Sequence, residues 1–198
     1  IYSWDGSAWS QVGSDIDGEA AGDQSGYSVS IDSDGSHVAI GAYLNDGNGS
    51  NSGHVRIYSW DGSAWSQVGS DIDGEASNDY SGYSVSIDSD GSHVAIGAYG
   101  NDGNETSAGH VRIYKYSSES WNRVGNDIDG EAAYDYSGYS VSIDSDGSHV
   151  AIGAPNNSGN GLNSGHVRLW SDLEPDLTAT SLTTSGATTA GSLTVDSV

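Results

Sequence analysis

The sequence predicts an all-β protein: a β-propeller-like array of four-stranded antiparallel blades, followed by a Thr/Ser-rich, fibre-like C-terminal segment. Three observations carry this. First, a 56-residue text recurs: Ile1-Tyr2-Ser3-Trp4-Asp5-Gly6 returns as Ile57-Tyr58-Ser59-Trp60-Asp61-Gly62, and further copies open at Ile113-Tyr114 and Leu169-Trp170. Second, short runs within each copy alternate apolar and polar residues with period 2, the spacing of a half-buried strand. Third, Asp-Gly pairs separate those runs, a signal for tight hairpin turns. A period this long excludes heptads, collagen and short solenoids, and it suits a propeller blade.

Each copy reads as four strands. In the first full set, residues 27–31 alternate strictly, and Asp34-Gly35 turns the chain into residues 37–42, which are more continuously apolar and therefore more buried. A loop rich in Asn, Asp, Gly and Ser covers residues 44–53. Residues 54–60 alternate again, Asp61-Gly62 turns them into residues 64–68, and the polar stretch 70–81 leads to the next copy. No stretch has helical periodicity.

The repeat domain spans residues 1–170, with copies 1–56, 57–112 and 113–168. Closed propellers have about 4–8 blades, so three copies are too few for a ring. The chain enters at a third strand and leaves after another, so residues 1–20 look like the outer half of a blade. Three explanations stand: further repeats precede residue 1, as the absence of any Met favours; several chains complete a ring; or the copies stack as an open array.

Composition shifts at Ser171. Residues 171–198 begin with the linker-like Asp172-Leu173-Glu174-Pro175-Asp176 and continue as Thr/Ser/Gly-rich text. One copy of this text has too few apolar residues for a core of its own. It is either a disordered linker or a segment ordered by winding with copies of itself. The second reading predicts a homo-oligomer, most simply a trimer, formed through residues 171–198. The text resembles the shaft sequences of phage tail fibres and trimeric adhesins.

Five Lys and Arg against 28 Asp and Glu give a net charge of −23 in 198 residues. That excess excludes a nucleic-acid partner, which needs a basic footprint, and an electrostatic attachment to anionic lipid. No apolar run approaches the length of a membrane span. The absence of Cys excludes disulfides, thiolate zinc sites and cysteine nucleophiles. Hydrophobic residues make up 34%, yet six Trp, twelve Tyr and regular Val and Ile positions oppose disorder.

Ser25-Gly26-Tyr27-Ser28-Val29, followed by Val38-Ala39-Ile40-Gly41-Ala42, resembles the FG-GAP repeat of integrin α-subunit propellers. The third copy carries the full ending Gly153-Ala154-Pro155, whereas Tyr43 and Tyr99 replace that Pro earlier. Ser25, Ser81 and Ser137 stand where the family has Phe. The resemblance implies a propeller and a calcium loop, Asp-x-Asp-x-Asp-Gly-x-x-Asp, between the first two strands. The matching places hold Asp32 and Asp34, Asp88 and Asp90, and Asp144 and Asp146, in a shorter loop without the closing Asp. Each is a weaker Ca²⁺ candidate or a plain hairpin.

A second acidic loop is denser: Asp15, Asp17 and Glu19, then Asp71, Asp73 and Glu75, then Asp127, Asp129 and Glu131, with Asp23, Asp79 and Asp135 nearby. Carboxylates this close repel one another unless they are solvated or neutralised, so these loops are either solvated turns or the first candidates for Ca²⁺. His37, His93 and His149, and His54, His110 and His166, recur on successive copies and read as strand-edge side chains. The Trp residues flank turns as cross-strand pairs, with sugar stacking as the alternative.

Copies one and two differ at eight positions: 21, 22, 24, 44, 49, 50, 51 and 52. All lie in two loops that an antiparallel blade places at one end. Varied loops on a fixed scaffold are where binding concentrates, although the opposite turn of the third copy, 115–120, also changes. The candidate ligand-binding residues are Asn45, Asp46, Asn48, Tyr80, Asn101, Asp102, Asn104 and Tyr136. No Gly-x-Ser-x-Gly elbow and no base positioned beside a nucleophile is legible. The sequence therefore points to a non-catalytic recognition or adhesion module, extracellular or on a virion surface, that binds a cell-surface protein or glycan. The alternatives are an acidic structural spacer or coat component, and a propeller lyase or glycosidase.

Overall fold

The computed structural model describes residues 1–171, which form strands and no helix. Strands β1 (Tyr2–Trp4) and β2 (Trp9–Gln11) make a lone hairpin. The first blade is β3 (Ser28–Ile31), β4 (His37–Ala42), β5 (His54–Trp60) and β6 (Trp65–Gln67), and the two-residue β7 (Ile72–Asp73) returns to pair with the start of β5. The second is β8 (Ser84–Ile87), β9 (His93–Ala98), β10 (His110–Ser117) and β11 (Ser120–Asp129). The third is β12 (Ser140–Ile143), β13 (His149–Ala154) and β14 (His166–Ser171). Every pairing among these strands is antiparallel between chain neighbours, apart from β7 on β5. The expectations for the tail beyond Ser171 lie outside the described residues.

Two details depart from the sequence reading. The polar stretch after the fourth strand is not all loop: β7 is a strand, and in the next copy β11 runs through the same region with a bulge opposite β10. Within the described residues the third blade shows three strands rather than four. The turn joining β10 to β11 is Ser118-Glu119, both at positive φ (53° and 63°), the geometry of a two-residue hairpin.

Alternation gives each blade two faces. Register pairs Val29 with Ile40 and Ile31 with Val38 on one face, and Ser28 with Gly41 and Ser30 with Ala39 on the other. The aliphatic face of one blade meets the small-residue face of the blade before it. Ala39, Val55 and Ile57 thus pack with Val85, Ile87, Val94, Ile96 and Ile72, and the next joint repeats this with Ala95, Val111, Ile113, Ile128, Ile143, Val150 and Ile152.

Small inner residues let neighbouring innermost strands touch. Ser30 Oγ accepts from the Ile87 N–H (3.0 Å) and Ser86 Oγ from the Ile143 N–H (3.0 Å). Ser28 and Ser84 donate to the carbonyls of Gly82 and Gly138 (2.7 Å each). A Cβ on Gly41 would lie 2.1 Å from the Gly82 oxygen, and one on Gly97 would lie 2.0 Å from the Gly138 oxygen. The Gly of each Ile-Gly-Ala therefore exists to admit the Gly of the next copy's Ser-Gly-Tyr. Farther out, Trp65 and Trp121 donate from Nε1 to the carbonyls of Val12 and Val68 (2.9 and 2.8 Å).

Among the described residues, the array is open at both ends. Val29 and Ile31 are 63% and 50% exposed, whereas their second-blade counterparts Val85 and Ile87 are buried. Val167 and Leu169 are 69% and 79% exposed, whereas Val55, Val111, Ile57 and Ile113 are buried.

Candidate ligand-binding face

The second variable loop of one copy meets the first variable loop of the next copy at one end of the blade. The backbone N–H groups of Asn78, Tyr80 and Ser81 donate to the carbonyls of Ser50, Asn51 and Ser52, and Gly53 bridges Ser81 in parallel. The same ladder joins Tyr134, Tyr136 and Ser137 to Thr106, Ser107 and Ala108.

Within these loops the candidate side chains separate into two groups. Asn45 and Asn101 are buried and turned inward. Their amides donate to the buried carboxylates of Asp23 and Asp79 (2.8 and 3.0 Å), and their side-chain oxygens accept from the Gly47 and Gly103 N–H groups (2.8 Å each). Asn157 with Asp135 repeats the arrangement. Asp46 and Asp102 accept from the N–H groups of Asn51 and Ser107, and Asn48 and Asn104 donate to the carbonyls of Gly74 and Gly130. These residues shape the loops from within. Burial pushes the Asp79 carboxyl above the usual carboxylate range despite the Asn101 bond.

Tyr80 and Tyr136 belong to something larger. With Tyr27, Tyr43, Tyr83, Tyr99 and Tyr139 they form a continuous aromatic cluster drawn from all three copies. Centroids of Tyr27 and Tyr83 lie 5.0 Å apart, and those of Tyr83 and Tyr139 lie 4.8 Å apart. Tyr80 and Tyr99 stack at 5.1 Å with ring planes 8° apart. The hydroxyls of Tyr27, Tyr83 and Tyr139 form a chain, 3.0 and 2.8 Å long in its two links. Tyr27 and Tyr139 are exposed, and the others are half-buried. Burial, then the bonds to Tyr139 and Tyr27, push the Tyr83 hydroxyl upward, and burial pushes Tyr99 up to about 12. Both remain neutral phenols at any physiological pH. Both Tyr80 and Tyr136 sit at positive φ (57° and 58°), as does the equivalent Gln24 (54°). The sequence reading missed the other five tyrosines; the signal was there, because Tyr27, Tyr83 and Tyr139 hold one repeat position at the start of the innermost strand.

The dense acidic loops do not gather their own acids. Asp71 grips Arg56 in a two-pronged pair (2.9 and 3.0 Å), and the same guanidinium holds Glu19 from the preceding copy. Asp127 and Glu75 grip Arg112 likewise, and Arg123 adds a bond to Asp127 (2.8 Å). Glu131 faces Arg168 at 3.5 Å, and Asp15 accepts from Gln11 (2.8 Å). Asp73 pairs through its backbone with His54, and Asp129 does so with His110; Asp17 is exposed. Bonding to Arg56 and Arg112 holds Asp71 and Asp127 below the usual carboxylate range, whereas burial and the nearby Asp127 raise Asp129. Burial depresses His54, and takes His110 down to about 4.

Three groups bring ligand atoms within 4.8 Å of one another: Glu19, His54 and Asp71; Glu75, His110 and Asp127; and Asp144, Asp146 and His149. These groups could hold a metal by composition. In the first two, an arginine already occupies the centre of negative charge, which does not fit a second cation. The tight turns Asp32-Asp34 and Asp88-Asp90 form hairpins: Asp34 and Asp90 accept from the Ser36 and Ser92 N–H groups, while Asp32 and Asp88 face the Nδ1 atoms of His37 and His93 at 2.8 and 2.7 Å.

A search of curated proteins finds no relative. Among solved structures, the chain is similar to the Kuenenia stuttgartiensis hydrazine synthase at 11% identity with a TM-score of 0.41, over 70% of this chain and 32% of that one. The chain spans about a third of that protein's length, and likeness at this level carries no functional argument. The sequence model of the FG-GAP repeat matches residues 14–58, 70–114 and 128–168, one match for each blade and more than half of the chain, and the chain accordingly belongs to the FG-GAP repeat family.

Proposed function

We propose that the chain is a non-catalytic, surface-exposed recognition module that binds a cell-surface glycan across its tyrosine face. One observation supports this most: seven tyrosines from three copies converge along the edge of the blades where the loops vary. Rings with one exposed face stack on the C–H faces of sugars, and neutral hydroxyls donate and accept. A glycan array run beside a panel of cell-surface ectodomains tests it. Binding to glycans that falls at least tenfold in Tyr27→Ala and Tyr80→Ala supports the reading. Binding only to ectodomains moves the ligand class to protein, and no binding leaves the structural-spacer alternative. An extracellular or virion-surface location belongs to the same proposal, as does any self-association through residues 171–198.

Ca²⁺, which takes oxygen ligands, has its best described place at the Asp144 and Asp146 carboxylates, in a turn bonded like the other two but exposed and without an arginine. Melting in calcium should exceed melting in chelator at matched ionic strength, and Asp146→Asn should remove the difference. Equal melting of the unmodified chain would rule out that site.

A further inference from the structure

We propose, building on the glycan reading above, that the tyrosine face selects uncharged glycans and turns away those bearing sialic acid, sulfate or uronate groups. A carboxylate or sulfate ester that leaves water needs a cation or several N–H donors to replace its hydration.

The chain has five Lys and Arg in all. Asp71 and Glu19 hold Arg56, and Asp127 and Glu75 hold Arg112. Arg123 bonds to Asp127, and Arg168 lies 3.5 Å from Glu131 and over the Trp170 ring. Lys115 pairs in register with His93 at the start of β9, whereas Tyr99 follows the other end of that strand. Tyr83 precedes β8, whose Ser84 pairs with Gly97, so Tyr83 lies at the Tyr99 end, and the two rings touch with centroids 4.5 Å apart. The arginines are thus committed to carboxylates, and the lysine stands at the far end of its blade.

Carboxylates, by contrast, border the face. The loops that follow Tyr43 and Tyr99 carry Asp46, Asp102 and Glu105, all exposed. The Thr106 and Ser107 carbonyls beside Glu105 accept from the Tyr134 and Tyr136 N–H groups, which ties that acid to the tyrosine loop. Asp79 and Asp135 immediately precede Tyr80 and Tyr136; both are buried, and their side-chain partners are the neutral amides of Asn101 and Asn157. A net charge of −23 adds a longer-range field of the same sign. An uncharged sugar meets rings and hydroxyls without penalty, whereas an anionic one is repelled on approach and finds no counter-charge on arrival.

Pairs of glycans that differ only in a terminal sialic acid or a sulfate ester, titrated against the full chain, test this. The uncharged member should bind about tenfold tighter at low ionic strength, where the Debye length is about 30 Å, and the gap should shrink as salt shortens that length to about 3 Å. Glu105→Lys should narrow the gap several-fold, with circular dichroism to confirm folding. Glu119→Lys makes the same change of charge at the Ser118-Glu119 turn, beyond Lys115, and should leave the gap as it is. Anionic members that bind as well as their uncharged partners overturn the selectivity while leaving the glycan reading intact. So does a gap that neither salt nor Glu105→Lys alters, which assigns the discrimination to shape, and so does equal narrowing by both substitutions, which assigns it to net charge alone. Absence of binding to every member of every pair overturns both readings.

Discussion

The first and second blades carry nearly the same text, yet they live in different environments. Val29 and Val85 occupy one repeat position in one strand register, opposite Ile40 and Ile96, but Val29 faces solvent and Val85 lies inside a joint. Strand formation is therefore a property of the copy, whereas burial is a property of the stack. In this respect the chain behaves as a one-dimensional array, whose stability is the sum of blade terms and nearest-neighbour joint terms.

Substitutions at matched positions sharpen this contrast. Ile113→Ala, in the second joint, should cost about 2–5 kcal/mol, while Leu169→Ala, at the exposed counterpart, should change stability by less than about 0.5 kcal/mol when measured below any assembly concentration. Urea denaturation of the two variants checks it, and equal losses would erase the distinction between joint and end.

Acid should separate the joint region by titration. Burial depresses His110 in the folded state, so the unfolded chain binds the extra proton between pH about 6.5 and about 4. Stability is then fully present above the unfolded value and falls as the pH drops through that window, by up to about 3 kcal/mol for this residue. Asp71 and Asp127, depressed by their arginines, lose their contribution only lower, below the ordinary carboxylate value near 3.9. His110→Asn should flatten the decline between pH 6.5 and 4 relative to the unsubstituted chain, as read by thermal melts across pH.

Glycine supplies a smaller contrast. Gly97→Ala puts a methyl on the Gly138 carbonyl and should cost about 1–3 kcal/mol. Gly153→Ala, at the last blade, meets only the Ser140 hydroxyl closely, and that side chain can rotate. It should cost under about 1 kcal/mol in the same chemical denaturation. Trp121→Phe involves a single bond: it removes the one to the Val68 carbonyl while keeping most of the ring, a loss of about 1 kcal/mol in the melting free energy.

Much of the fold was legible because its cause is local. Alternation and Asp-Gly turns place most strands within a residue of where they form, and the repeat fixes their order. Ile72 and Asp73 were read as loop because their strand exists only through pairing with His54 and Val55, which no local pattern announces. The acidic loops suggested a cation because Asp71 and Glu75 are neighbours in sequence. In space they part, one to Arg56 and the other to Arg112, and those arginines sit among the other polar residues of alternating strands. Asn45 and Asn101 looked like loop-tip ligands, but a buried carboxylate required an amide donor. The tyrosine face escaped for the same reason: it is assembled across copies, and a window moved along one copy sees only a local group such as Tyr80 and Tyr83.

The contact between the Gly of Ile-Gly-Ala and the Gly of the following Ser-Gly-Tyr has a consequence for inheritance. Both halves of every joint are encoded within one 56-residue unit, so duplicating or deleting a whole unit in frame creates no interface the protein does not already contain. Copies one and two, which differ only in the loops that flank the tyrosines, are similar enough for recombination to exchange them. A gene of this kind can change its number of blades in single steps while each step leaves a foldable product, and the loops can diverge afterwards.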